Sequence, residues 1–209
     1  MKVLATGSSG LVGSRFMELA PKDLVIFNPT EIELNITNLK DVKSYIRRNK
    51  PESIIHFAAF TDPKKAELER GDKEGATWKI NVEGTQNLVE IAKRDSTFFL
   101  HISTDLVFPG TKRKDEYYDE ESVPSENLEN LSWYGYTKLQ AENIVRKSLD
   151  RYAIVRIAYP YRAKYNPKTD FARLFLQMYD SDTMYPLFID NSICPTFIDD
   201  LCEALNVII

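Results

Sequence analysis

Tyr134 and Lys138 stand four residues apart in the stretch Ser132-Trp133-Tyr134-Gly135-Tyr136-Thr137-Lys138, a spacing that puts a phenol and an ammonium one helical turn apart. Ala141, Val145 and Leu149 continue at helical spacing and turn that face toward a sheet. A phenol of pKa about 10 exchanges protons poorly at neutral pH, but a cation within about 4–6 Å draws that value down. Tyr134 is therefore expected to trade a proton with a substrate oxygen, with Lys138 lowering its pKa. One tyrosine–lysine pair at this spacing arises about once by chance in a chain of this composition, so its meaning depends on what positions it.

What must position it begins at residues 2–13, KVLATGSSGLVG. Val3, Leu4 and Ala5 read as a first buried strand, and Gly7, Gly10 and Gly13 permit a tight turn, close approach of a pyrophosphate and contact between strand and following helix. The G-x-x-G-x-x-G spacing is one residue wider than the common fingerprint. A glycine-rich turn that binds nothing is the plain alternative.

Strand and helix then alternate. Helices are expected over 13–20 and 39–49, and strands over 24–27, 53–57, 98–102 and 153–158. The second strand ends at Asn28, where an acidic residue would accept from a ribose 2′-hydroxyl and an arginine would suit a 2′-phosphate. Asn28 does neither and Arg15 is a weak phosphate candidate, which leaves NAD against NADP open with a lean to NADP. Ala58 and Ala59 keep side chains small after the third strand. His56 and His101 read as core histidines.

Residues 64–75 read as a solvated helix and loop. Ile80, Gly84, Leu88 and Ile91 mark a long helix whose Gly84 is expected to approach the sheet closely. The fourth strand delivers Ser103, Thr104 and Asp105 to the carboxyl edge, where doubly wound folds bind ligands. Residues 110–130 read as a surface loop over the site. Phe171, Leu174, Phe175 and Met178 form an amphipathic helix, and Asp199 or Asp200 is expected to cap a last helix. That helix runs into Asn206-Val207-Ile208-Ile209, an apolar end without a capping glycine, which predicts an incomplete C-terminal portion.

The 209 residues carry a net charge of −4 and scattered cations, which offers nucleic acid no basic field. Two cysteines and two histidines are too few for a zinc cluster or a disulfide framework, so no metal is expected. No leader or apolar run of membrane-spanning length is read, and a cytoplasmic location is expected.

The stretches TGSSGLVG, HFAAFTDPKKAE, INVEGTQNL, HISTDLVFPG, YGYTKLQAE, IVRIAYPY and DNSICPTFIDDL together resemble the extended short-chain dehydrogenase/reductases, within them the dTDP-4-dehydrorhamnose reductase branch. The resemblance implies an α/β doubly wound parallel sheet (Rossmann fold) over 1–158, with a small, incomplete substrate-binding portion over 159–209. It implies Thr104, Tyr134 and Lys138 as the catalytic set. The cofactor, NADP or NAD, would meet Gly7, Ser9, Gly10, Leu11, Val12, Gly13, Asn28, Asn35, Ile36, Ala58, Ala59, Phe60, Tyr134 and Lys138, with Asn81 supporting the lysine. Thr104, Asp105, Leu106 and Tyr159 would face a nucleotide sugar.

Departures fall on the substrate side. Leu106 stands for tyrosine, Tyr159 for tryptophan and Asp170 for asparagine, while Asn35 replaces an aspartate and Asn191, Ile193 and Cys194 alter the D-Q-x-G-x-P-T stretch. The implied function is NAD(P)H-dependent reduction of a 4-keto nucleotide sugar in deoxysugar biosynthesis, by a possible homodimer. A sugar dehydratase needs a glutamate where Leu106 stands. An epimerase with tightly held NAD, and a non-catalytic subunit resembling the regulatory subunit of methionine adenosyltransferase, remain as alternatives.

Overall fold

The computed structural model describes residues 1–111, 116–186 and 192–209. Five parallel strands, β1 (Lys2–Thr6), β2 (Val25–Phe27), β3 (Ser53–His56), β4 (Phe98–Thr104) and β5 (Tyr152–Ile157), lie in the order β2-β1-β3-β4-β5. The chain leaves β1 toward one edge and returns to build the other, so the order reverses between β1 and β3. A crevice opens at such a point, beyond the carboxyl ends of the two strands. The doubly wound parallel sheet expected from the sequence is present.

Each strand sends alternate side chains to opposite faces, and the runs are apolar because both faces are covered. Leu4, Ile54 and Phe99 meet Val42 and Ile46 of α2 (Leu39–Asn49), Leu88 and Ile91 of α5 (Thr85–Asp95) and Val145 of α6 (Trp133–Ser148). Val3, Ile55, Leu100 and Ile102 meet Phe16 of α1 (Leu11–Leu19) and Ile198, Leu201, Cys202 and Leu205 of α8 (Ile198–Ile208). Each such buried side chain contributes about 1.5–3 kcal/mol of transfer free energy. α8 thus belongs to the layer that covers the sheet beside α1.

Several local expectations shift. β2 lies at an edge of the sheet, with Val25 half exposed. α1 begins at Leu11, two residues early, and β4 runs on through Ser103 and Thr104. The long helix around Ile80 is interrupted: α4 (Ala76–Trp78) passes through a π-helical turn (Lys79–Gly84) into α5. A Cβ at Gly84 would meet Ile36, 2.8 Å from its Cδ1, so the close approach is to the segment before α2 and not to the sheet. α3 (Pro63–Leu68) is capped by Asp62. α8 has Phe197 at its N-cap with no side-chain bond; Asp199 and Asp200 lie inside the first turn and cap nothing. Asp199 instead holds Arg15 of α1 through bonds of 2.7 and 2.6 Å.

Among the described residues no helix is long and apolar enough to cross a membrane, and no three His, Cys, Asp or Glu side chains are grouped to hold a metal ion.

Candidate active site

A cavity of about 750 Å³ occupies the carboxyl edge of the sheet. Its floor is the turn after β1, where Gly7 adopts φ +69° and a Cβ would sit 2.5 Å from the backbone of Ala58. Only glycine lets the turn after β1 come this close to the chain leaving β3. Gly10 precedes α1 with no side-chain cap, so the first amides of that helix keep their donors for whatever fills the crevice.

Thr104, Tyr134 and Lys138 all line this one cavity, as do Gly7, Ser9, Gly10, Leu11, Val12, Gly13, Asn35, Ile36, Ala58, Ala59, Asp105, Leu106 and Tyr159. Asn28, Phe60 and Asn81 do not. Asn81 sits in the π turn, where its Oδ1 accepts from the Phe60 amide at 2.8 Å and its Nδ2 donates to Thr137 at 3.0 Å. It braces the segment after β3 against α6 and makes no bond to Lys138. Asn35 folds its Oδ1 back onto Thr37, accepting from its amide at 3.0 Å and its hydroxyl at 2.8 Å.

α6 starts where Ser132 accepts from the Gly135 amide at 3.1 Å, and Tyr134 and Lys138 follow one turn apart. Thr104 accepts from the Leu106 amide at 3.2 Å and donates to Asp105 at 3.1 Å, which starts the 3-10 turn Asp105–Val107. Burial pushes the Asp105 carboxyl up. Burial and the nearby Asp105 charge push the Tyr134 phenol up to about 12, against the expectation that Lys138 lowers it. The amine is itself pushed down to about 7 by burial, partly opposed by Glu142, and donates to the Ile102 carbonyl at 2.8 Å while lying 3.2 Å from His101 Nε2. The arrangement keeps Tyr134 protonated, which is the state of a proton donor.

His56 and His101 are core residues as expected, fully buried. Arg15 is paired with Asp199 and Glu18 and so is not the free cation that a 2′-phosphate would need. Asp170 is the buried N-cap of α7 (Phe171–Asp180), accepting from the Arg173 amide at 3.0 Å and its Nε at 2.8 Å. None of the described residues of 110–130 lines the cavity. Asn191 falls outside the described residues; Ile193 and Cys194 are exposed and do not line the cavity.

Sequence reading missed part of the wall. Pro29, Thr30 and Glu31 follow β2, and Tyr165, Lys168 and Thr169 belong to the segment before α7. No motif marks either segment. The Asp170 cap could have been read, since an aspartate directly before an amphipathic run is a helix-start signal. Tyr159 carries φ +43° beside Phe171, with ring centroids 5.3 Å apart. A bulky residue in that region is strained by about 1 kcal/mol or more, and here the strain sets an aromatic ring on the cavity wall.

The strand order, the glycine turn and the cavity at the switch point define a Rossmann-type α/β protein with a tyrosine–lysine pair on its binding edge. Comparison with known proteins gives the family. The chain belongs to the RmlD substrate binding domain family, which it matches over residues 1–209. It is similar to a dTDP-4-dehydrorhamnose reductase of Aggregatibacter actinomycetemcomitans, at 30% identity over 210 residues, covering 98% of this chain and 66% of that protein. The structure of dTDP-4-dehydrorhamnose reductase from Bacillus anthracis, in complex with NADP, superposes with a TM-score of 0.82 at 28% identity, covering 99% of this chain and 70% of that one. Methionine adenosyltransferase 2 subunit beta of Xenopus tropicalis is 30% identical over 168 residues, 77% of this chain and 47% of that protein. The chain spans just under two-thirds of the length of the reductase from Aggregatibacter.

Proposed function

We propose that the protein is an NAD(P)H-dependent reductase of a 4-keto nucleotide sugar, of the dTDP-4-dehydrorhamnose reductase type. The observation that carries this reading is the meeting of Thr104, Tyr134 and Lys138 on the wall of the cavity whose floor is the glycine turn. The Gly7 close approach and the uncapped start of α1 fit a dinucleotide diphosphate, with Ala58 and Ala59 leaving room for its ribose. The reduced nicotinamide supplies hydride when bound. Tyr134 donates a proton to the forming alkoxide, and Thr104 hydrogen-bonds the substrate oxygen. Lys138 offers the nicotinamide ribose a donor from beneath. Leu106 and Tyr159 present apolar surface to the sugar ring. Of the substrate-binding portion expected over 159–209, residues between 159 and 171 supply the substrate side of the cavity while α8 packs on the sheet, and two copies are expected to assemble as a homodimer.

The test is oxidation of NADPH and NADH with dTDP-4-keto-6-deoxyhexose. Turnover is expected with at least one cofactor, and its absence across a panel of keto nucleotide sugars, with dinucleotide still bound, rules the reductase out. That outcome favours the second reading, raised by the methionine adenosyltransferase relative: a subunit that holds a dinucleotide without turning it over.

A further inference from the structure

Two imidazoles lie beneath the reacting edge, their rings 5.4 Å apart, and the chemistry above uses neither. His56 is fully engaged. The Thr85 hydroxyl gives its proton to the Asn81 carbonyl at 2.7 Å, so at 3.0 Å it must accept from His56 Nε2–H, and Nδ1 then accepts from the Thr6 hydroxyl at 2.7 Å.

His101 is different. Its Nε2 lies 3.2 Å from Lys138 Nζ, while its Nδ1 has no partner although the ring is fully buried. An ammonium donates three protons and accepts none, so beside it Nε2 must carry a bare lone pair and the imidazole proton must sit on Nδ1. An unpaired buried N–H is rare and costly. Retaining one here is accounted for if the other nitrogen has a charged donor to receive.

We propose that His101 is a positioning residue for Lys138: as the Nδ1–H tautomer, its Nε2 and the Ile102 carbonyl take two protons of the ammonium, leaving the third for the cavity. The use made of that third proton rests on the reductase reading; the His101–Lys138 pair does not. The surrounding charges are consistent with this. From α6, Glu142 favours the charged lysine, while burial first, then Lys138, His56 and Arg146, disfavour charge on His101. His56 on β3 is neutral, its pKa pushed down to about 3 by burial and by Lys138. Asp105 and Tyr134 stand at the edge, and Arg156 of β5 is bound to Glu142. Among the described residues, His101 is the one titratable side chain bonded to Nζ.

The chain has two histidines, which makes the test direct. Long-range proton–nitrogen correlation spectra at pH 6 are expected to show opposite tautomers, Nε2–H for His56 and Nδ1–H for His101. His101 as the Nε2–H form, or as imidazolium, overturns the proposal. In a second arm, with carbon-13-labelled lysine, His101→Phe is expected to move the Lys138 titration midpoint down by about one pK unit, a tenfold change. His101→Gln, which keeps an acceptor, restores most of it. An unmoved midpoint in folded His101→Phe also overturns the proposal; if that variant does not fold, the tautomer spectrum decides. Dinucleotide binding by the wild-type chain is the separate control. Its failure removes the reductase reading and leaves the tautomer result standing.

Discussion

The Tyr165 hydroxyl donates to the Ser9 carbonyl at 2.8 Å, which joins the segment after β5 to the middle of the glycine turn across 156 residues of sequence. A carbonyl held this way keeps its peptide plane fixed, and with it the amide of Gly10 that opens α1. The cavity wall built by the segment before α7 is therefore fastened to the glycine-turn floor.

Tyr165→Phe removes that bond at the cost of about 1 kcal/mol in dinucleotide binding. The expected result is an affinity weaker by about fivefold, with the melting temperature nearly unchanged. Titration of NADPH followed by fluorescence checks it.

Tyr134→Phe is expected to reduce turnover by about 100-fold or more while dinucleotide affinity stays within about threefold. With the phenol at about 12 and Lys138 at about 7, the alkaline limb of the wild-type rate profile belongs to the lysine. Turnover should fall as pH rises through about 7, and Tyr134 should show no titration below pH 10.

Lys138→Met exchanges a buried amine for an apolar side chain and is expected to stabilise the fold by about 1 kcal/mol or more at pH 6 while abolishing turnover. The native amine loses its proton near 7 and the unfolded one near 10.4, so between those values the unfolded state binds more protons. Wild-type stability from this group therefore rises with pH across that window. Denaturant midpoints of variant and wild type should converge from pH 7 to pH 10.

Glu142 is fully buried and accepts from Arg156 at 3.0 and 2.8 Å and from Arg146 at 2.7 Å. Burial raises its pKa, but these bonds outweigh burial and hold it below the usual value. Glu142→Gln leaves the partly buried Arg156 without a counter-charge and is expected to destabilise the protein by about 3 kcal/mol at pH 7. A depressed carboxylate pKa contributes above the unfolded value and is lost as pH falls through the folded one. The variant should therefore lose less stability than wild type on going from pH 6 to pH 3.

A Cβ at Gly135 would collide with the Leu106 carbonyl oxygen. Gly135→Ala must push α6 away from the turn that carries Asp105, with an expected cost of about 2 kcal/mol. Circular dichroism melts give the cost, and turnover should fall with it because Thr104 and Tyr134 move apart.

Much of this was legible in the sequence because it repeats a period or fills a motif. Strand runs such as 53–57 and 98–102 are mainly apolar, and the glycine turn and the tyrosine–lysine pair are local in the chain. What was not legible depends on contacts between distant segments. Asn81 reads as a lysine support, yet the π turn aims it at Phe60 and Thr137. Tyr165 and Lys168 lie in a segment without periodicity, and only the fold brings them to the cavity. The direction of the Tyr134 shift was misread because spacing gives proximity to a cation but not the burial that outweighs it.

The bond from Arg15 to Asp199 closes 184 residues of chain. Helix α1, whose start faces the crevice, is flanked on the sheet by α8. Contacts between segments so far apart in sequence are slow to form, since loop closure must precede their gain. The glycine turn is local in the chain, whereas the helix that flanks α1 comes from far along it. Until α8 packs beside α1, the helix that opens onto the crevice lacks one of its supports, so binding competence waits on a long-range contact and not on the glycine turn alone.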